Sequence, residues 1–318
     1  VCFSTESKVP TYDPMKIPGV GNGKSGKRNL GEDNLNKDYG TYYWTGQDQR
    51  VPQRELTGDD SMLIMKRATR FIEQCASDKK PFFAVIWFHA PHLPVVADED
   101  HRNLYPRHPF GSLGKNYAGC LSALDDSMGL LHNELKRHSM FDNTMLWYCS
   151  DNGPESSSKK GPGRAEPFRG RKRDLYEGGV RVPGFVVWPH KIKKPFSTDV
   201  PCVTSDYFPT IHDVLGLDLP KRPYDGMSLL PLIEGRSKKR NRAIGFQSKK
   251  VQVWNDDRFK LVINKGKEEL YDVANDLAES ANLIEQHPEI AKNMKAEMMA
   301  WIESCKKSES GQDYRSGE

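Results

Sequence analysis

No stretch of about 18 consecutive apolar residues occurs in this 318-residue sequence, which excludes a membrane-spanning helix. The six cysteines (Cys2, Cys75, Cys120, Cys149, Cys202 and Cys305) include no Cys-x-x-Cys pair, which argues against a structural zinc site. A set of free thiols and one or two disulfides both remain open. Strong net charge is also missing: the formal balance is +4, too little for a general attraction to nucleic acid or to an anionic membrane. There is no internal repeat. The opening Val1-Cys-Phe-Ser-Thr-Glu is neither an initiator methionine nor a signal peptide, and it reads as the middle of a longer chain. With 36% hydrophobic residues, the chain can build one large α/β domain, or a domain and a smaller companion.

What is present centres on Met145-Leu-Trp-Tyr-Cys-Ser-Asp-Asn-Gly-Pro154. Met145 to Cys149 reads as a short buried strand, and Ser150 to Pro154 forces a tight turn. A carboxylate, Asp151, and a carboxamide, Asn152, therefore stand where a strand emerges. Their hard oxygens suit Ca2+ or Mg2+. Before it, residues 1 to about 58 are rich in Gly, Pro, Asn and Asp and suggest a long surface excursion. Gly19-Val-Gly-Asn-Gly-Lys-Ser25 imitates a phosphate-binding loop, but Pro18 occupies the first glycine position and no strand precedes it. Asp59-Asp60-Ser61 reads as the cap and first turn of a helix rather than as a metal-ligand pair. Phe82 to Phe88 is a continuous apolar run, expected to be a strand covered on both faces, and it ends in His89-Ala-Pro-His-Leu-Pro94. Helices are expected at about Tyr117 to His138 and from Ser205, as N-cap, to Leu217. Lys159, Lys160, Arg164, Arg169, Arg171, Lys172 and Arg173 make a basic loop opposed only by Glu166 before Asp174. Four short strand-like segments between Ala243 and Val273 and a helix from about Pro288 to Lys306 close the chain as a small antiparallel sheet with one helix.

Strand ends that carry His89/His92 and Asp151/Asn152, followed by a lysine-bearing loop, suit stabilisation of a multiply charged oxyanion ester. In this ordered set the sequence resembles the type I sulfatases of the alkaline phosphatase superfamily. Phe82 to Pro94 is similar to that family's histidine-bearing strand, which implies a catalytic and substrate-binding role for His92, with His89 supporting. Ser150-Asp-Asn-Gly153 resembles its metal segment and implies Ca2+ ligation by Asp151 and Asn152, Mg2+ being the lesser choice. Gly170-Arg-Lys-Arg-Asp-Leu-Tyr-Glu-Gly-Gly-Val-Arg-Val-Pro183 resembles the segment whose lysine binds sulfate, here Lys172. Leu270-Tyr-Asp-Val with Glu279 and Asn282-Leu283 resembles the family's C-terminal subdomain.

The resemblance implies an α/β, alkaline-phosphatase-like sandwich with a central, mostly parallel sheet lacking its first strands. Residues 1–238 would form the C-terminal part of the catalytic core, and residues 239–318 a C-terminal subdomain. It also implies sulfate ester hydrolysis, a formylglycine nucleophile, a sulfated small-molecule or carbohydrate substrate, no nucleic acid partner and an exported location. The absence of an Asn-x-Ser/Thr acceptor fits a bacterial exported protein. None of the six cysteines lies in a Cys-x-Pro-Ser-Arg motif, no Asp-Asp metal segment precedes the core, and no Lys-x-His follows, so the chain is expected to be a truncated, inactive sulfatase. Two alternatives stay open: a phosphoester or phosphonate hydrolase of the same superfamily, and a non-catalytic module that binds sulfated glycans through the basic loop.

Overall fold

The computed structural model describes residues 3–5, 11–13, 43–45, 49–51, 58–93, 95–155 and 162–314. Most of the 1–58 excursion, the 19–25 lookalike, Cys2, Lys159 and Lys160 lie outside the described residues. The chain divides into two compact units, residues 1–144 with 158–163, and residues 145–157 with 164–318.

In the first unit, β1 (Phe3–Thr5), β3 (Tyr43–Thr45) and β4 (Gln49–Arg50) form one antiparallel sheet, and β2 (Tyr12–Asp13) pairs with β5 (Gly58–Asp59). Helix α1 (Asp60–Ser77) begins where an Asp59 carboxylate oxygen accepts from the Met62 amide at 3.0 Å, so Asp59 and Asp60 are cap and first turn. Helices α2 (Glu99–Asn103) and α3 (Gly111–Arg137) follow. The start of α3 lies upstream of the expected one because Gly111-Ser-Leu-Gly-Lys-Asn116 has the composition of a turn, yet Gly114 and Asn116 are buried. Asn116 Oδ1 accepts from the Ala97 amide at 3.0 Å, which ties the helix to the preceding segment. Helices α1 and α3 pack together and bury Met65, Ile72, Leu124, Leu131 and Leu135.

The expected doubly covered strand at Phe82–Phe88 is not one. The segment has no ladder partner among the described residues, and Phe83, Val85 and Trp87 are 72%, 59% and 83% exposed. Phe82, Ile86 and Phe88 are half-buried, Phe82 meeting Phe71 edge-on at 6.3 Å. An apolar run supplies side chains for two faces, but a strand also needs a neighbour to complete its backbone hydrogen bonds, and no sequence pattern supplies that.

In the second unit, β6 (Leu146–Cys149) pairs antiparallel with β7 (Gly184–Val187). Trp147, Val186 and Trp188 pack on Leu229, Leu230, Leu232 and Ile233, with short helices α4 (Glu177–Val180) and α6 (Leu230–Ile233) and helix α5 (Tyr207–Leu215) alongside in sequence. The expected helix from Ser205 is preceded by a 3-10 turn at Thr204–Asp206, and Asp206, not Ser205, binds the Val203 amide at 2.9 Å. Strands β8 (Ile244–Ser248), β9 (Val251–Asn255), β10 (Phe259–Asn264) and β11 (Lys267–Asp272) form an antiparallel meander in the order β11-β10-β9-β8. Helix α7 (Pro288–Glu309) lays Met294, Met298 and Ile302 on Phe259, Leu261 and Leu270. Every strand pairing among the described residues is antiparallel, so the parallel ladder expected of the central sheet is not among them. Alternating strand and helix signals give the order of elements without fixing which strands become neighbours. The five described cysteines are free thiols.

Candidate functional site

The turn after β6 is fixed by its backbone. Ser150 Oγ donates to the Asn152 carbonyl at 3.0 Å, and the Ser150 amide to Pro183 O at 3.3 Å. The Gly153 amide donates to Gly179 O at 2.8 Å. At Gly153 any side chain is forbidden, because a Cβ would lie 1.9 Å from the Gly178 carbonyl oxygen. This close approach leaves Asp151 exposed and Asn152 half-buried. Asn152 Nδ2 donates to Asp151 Oδ1, and the remaining oxygens, Asp151 Oδ2 and Asn152 Oδ1, have no partner among the described residues.

The loop that carries Lys172 is bonded to the same turn. The Lys172 amide donates to Pro154 O at 2.9 Å, so the ammonium-bearing residue and the Asp-Asn pair share one backbone framework. Gly170, at φ +86, and Arg173, at φ +80, take left-handed conformations on either side of it, and Asp174 Oδ2 accepts from the Arg171 amide at 3.1 Å. Lys172 is half-buried and its ammonium makes no hydrogen bond or ion pair with a described residue. Its basic neighbours are engaged. Arg173 reaches Glu155 Oε1 at 2.8 Å, Arg171 reaches the Glu155 carbonyl at 3.1 Å, and Arg169 reaches Tyr271 Oη at 2.8 Å. Arg173 beside it, with Lys172 and Arg171 near, holds the Glu155 carboxyl below the usual carboxylate range. Glu155 was missed in the sequence because it sits on the other side of the basic run from Asp174, with no periodic relation to it.

The two histidines belong to the first unit. His89 Nδ1 lies 2.7 Å from Oδ2 of Asp60, the buried first residue of α1, with the Tyr43 ring edge-on at 6.4 Å. That is a structural engagement. His92 is exposed, and its Nδ1 donates to the Leu93 carbonyl at 2.7 Å, which leaves Nε2 for other chemistry.

The adjacent carboxylate and carboxamide oxygens, both without partners, are a donor set that fits a hard divalent cation. Two donors are a partial shell for an ion that takes about six to eight oxygens. No group of three or more His, Cys, Asp or Glu placed to hold a metal occurs among the described residues.

Residues 12–217 match the Sulfatase family model, and residues 169–304 match a model described as N-sulphoglucosamine sulphohydrolase, C-terminal. A sulfatase of Formosa agariphila is 29% identical over 273 residues, covering 73% of this chain and 48% of that protein. Human steryl-sulfatase is 29% identical over 196 residues, covering 59% of this chain and 32% of that protein. The chain thus spans about half or less of the length of these curated relatives. The solved structure of BT4656 in complex with its substrate D-glucosamine-2-N,6-O-disulfate is similar at a TM-score of 0.66 and 19% identity, covering 88% of this chain and 75% of that one. At that identity the likeness shows the fold, an alkaline-phosphatase-like one.

Proposed function

The chain belongs to the sulfatase family, and on that premise we propose that the full-length protein hydrolyses sulfate esters to an alcohol and inorganic sulfate, with sulfated carbohydrate as its substrate class. The observation that carries the reading is the unpartnered ammonium of Lys172, bonded through its backbone to the turn whose Asp151 and Asn152 offer unpartnered oxygens. Lys172 binds the sulfate group by charge-assisted hydrogen bonds. Asp151 and Asn152 would hold Ca2+, which when bound would draw negative charge from the sulfate oxygens. His92 is assigned a hydrogen bond to sulfate, or proton delivery to the leaving oxygen, through Nε2. No cysteine of this sequence stands in the motif that carries the family's formylglycine, so the nucleophile is assigned to none of its residues. The match of residues 169–304 to the sulphoglucosamine sulphohydrolase C-terminal model supports the carbohydrate class over a sterol.

Three further expectations belong to the same reading: residues 239–318 as a C-terminal subdomain, export from the cytoplasm, and no nucleic acid partner. No helix among the described residues is long and apolar enough to cross a membrane. The engagement of Arg169, Arg171 and Arg173 within the chain speaks against a purely electrostatic glycan-binding module, which needs its cations free.

The test is release of inorganic sulfate from sulfated monosaccharides by the full-length protein with Ca2+ present. Lys172→Ala is expected to lower kcat/KM by about 100-fold or more, as the loss of a charged group at a developing oxyanion does. Chelation of Ca2+ should abolish turnover, and re-addition restore it. Sulfate release that Lys172→Ala leaves unchanged would overturn the assignment.

A further inference from the structure

Beneath the Lys172 loop lies a buried charged group that none of the roles above uses. Glu279, Lys260 and Glu177 are 1%, 0% and 4% exposed. Lys260, on β10, donates from Nζ to Glu177 Oε1 at 2.8 Å and lies 2.9 Å from Glu279 Oε1, an ion pair outside good hydrogen-bond alignment. Glu279 Oε2 accepts from the Glu177 amide at 2.7 Å, and the Glu279 carbonyl accepts from Arg169 Nη1 at 3.2 Å. Arg169 and Glu177 bracket the segment that contains Lys172. One residue therefore grips both ends of that loop, by its side chain at one end and its backbone at the other. The Gly178 amide then donates across the loop's base to Arg169 O at 2.7 Å, closing it. Arg169 also lies over the Tyr176 ring at 3.8 Å.

Two physical considerations indicate that this arrangement serves placement rather than stability. Two carboxylates and one ammonium taken out of water cost more desolvation than they regain unless their geometry is excellent, so an apolar cluster of similar volume would serve stability at least as well. Glu279 also sits at φ +50, a conformation non-glycine residues adopt at a cost. An unfavourable backbone at a buried charged residue is retained where its side chain must reach a fixed point.

We propose that Glu279, held by Lys260, is a positioning residue for Lys172: it fixes the separation of Arg169 and Glu177 and so the place of the sulfate-binding ammonium. The inference rests on the sulfate-binding role assigned to Lys172 above. It also gives a task to two sequence motifs, Tyr176-Glu-Gly-Gly and the Glu279 segment, that otherwise have none.

The test is a double-mutant cycle in the full-length protein, read as kcat/KM for a sulfated monosaccharide. Glu279→Ala is expected to cost about 100-fold, the scale of a misplacement of about 1 Å at a reacting centre. Glu279→Gln, whose amide oxygen still accepts from the Glu177 amide, should stay within about fivefold of wild type. On a Lys172→Ala background, Glu279→Ala should cost less than about threefold, because the group it places is gone. Equal costs on both backgrounds, or a Gln variant as impaired as Ala, would mean that Glu279 acts only on the fold. If Glu279→Ala does not fold, Glu279→Asp withdraws the oxygen by a methylene and takes its place with the same expectations. Hydrogen exchange gives an arm independent of activity: the Lys172 and Gly178 amides should exchange at least about tenfold faster in the Ala variant while amides of α5 and α7 keep their rates. Uniform acceleration, or none at the loop, overturns the proposal. A wild-type protein without sulfate release, or one indifferent to Lys172→Ala, fails the functional reading instead, and the exchange arm still decides whether Glu279 holds the loop.

Discussion

Burial pushes the Asp59 carboxyl up from its ordinary 3.8 to about 6, although one of its oxygens caps α1 by accepting from the Met62 amide. A folded-state value above the unfolded one means that the native state holds this proton more tightly. The resulting stabilisation is complete below about pH 4 and is lost as pH rises through about 6. Asp59→Asn keeps an oxygen for the cap and removes the ionisation. The variant should therefore melt higher than wild type at pH 8 and together with it at pH 4, measured by thermal unfolding at the two pH values. A variant that melts lower at pH 8 would show that the charge is welcome there. The capping role was legible in Asp59-Asp60-Ser61, since a helix start depends on neighbours in sequence. The burial was not, because it arises from packing with distant residues. The same division holds at the proposed site: Asp151-Asn152 stands out as the turn that ends an apolar run and Lys172 is assigned through the family resemblance, whereas Glu155 and Glu279 make contacts that no local pattern announces.

Single elements lean on a few long-range bonds. Asp206, ahead of α5, receives Arg240 in a bidentate pair with both distances at 2.8 Å, and both side chains are almost fully buried. It also accepts from the Val203 and Met227 amides at 2.9 and 2.8 Å. Asp206→Ala strands the guanidinium in the interior, so unfolding by urea should show a loss of about 3–5 kcal/mol. A loss under about 1 kcal/mol would mean that water reaches Arg240. The extended segment Phe82–Phe88 poses the opposite problem. Its exposed Phe83, Val85 and Trp87 sit on backbone without a ladder partner among the described residues, the profile of an open sheet edge. In the 318-residue chain, Trp87→Lys should lower the light scattering of concentrated samples while leaving the melting temperature in place. The apolar run was plain in the sequence, and its lack of a partner among the described residues was not, because pairing is a property of two segments. The β8–β11 meander was easier to read because its strands are consecutive and joined by short turns, so the neighbour of each strand in sequence is also its neighbour in the sheet.

At the scale of the whole molecule, chemistry and fold divide differently along the chain. The C-terminal meander with α7 has its own apolar core of Leu261, Leu270, Met294, Met298 and Ile302, and contributes Lys260 and Glu279 to the support of the Lys172 loop. The metal donors proposed among the described residues are fewer: two adjacent oxygens, of Asp151 and Asn152, where Ca2+ takes about six to eight. Water would fill the rest of such a shell, and a shell with one carboxylate holds the ion with less charge than a shell with several. The 318-residue chain by itself is therefore expected to bind Ca2+ with a Kd on the order of 10⁻³ M or weaker by calorimetry, the weak end of protein calcium sites. It should release no sulfate from an aryl sulfate, since none of its cysteines stands in the motif that becomes the family's nucleophile. Metal-dependent hydrolysis by the pure chain would overturn that expectation and would require a nucleophile among residues assigned no chemistry here. Weak binding that disappears in Asp151→Ala, without turnover, would locate the metal contribution of this chain in the turn after β6 and leave the reacting group to be sought elsewhere in the full-length protein.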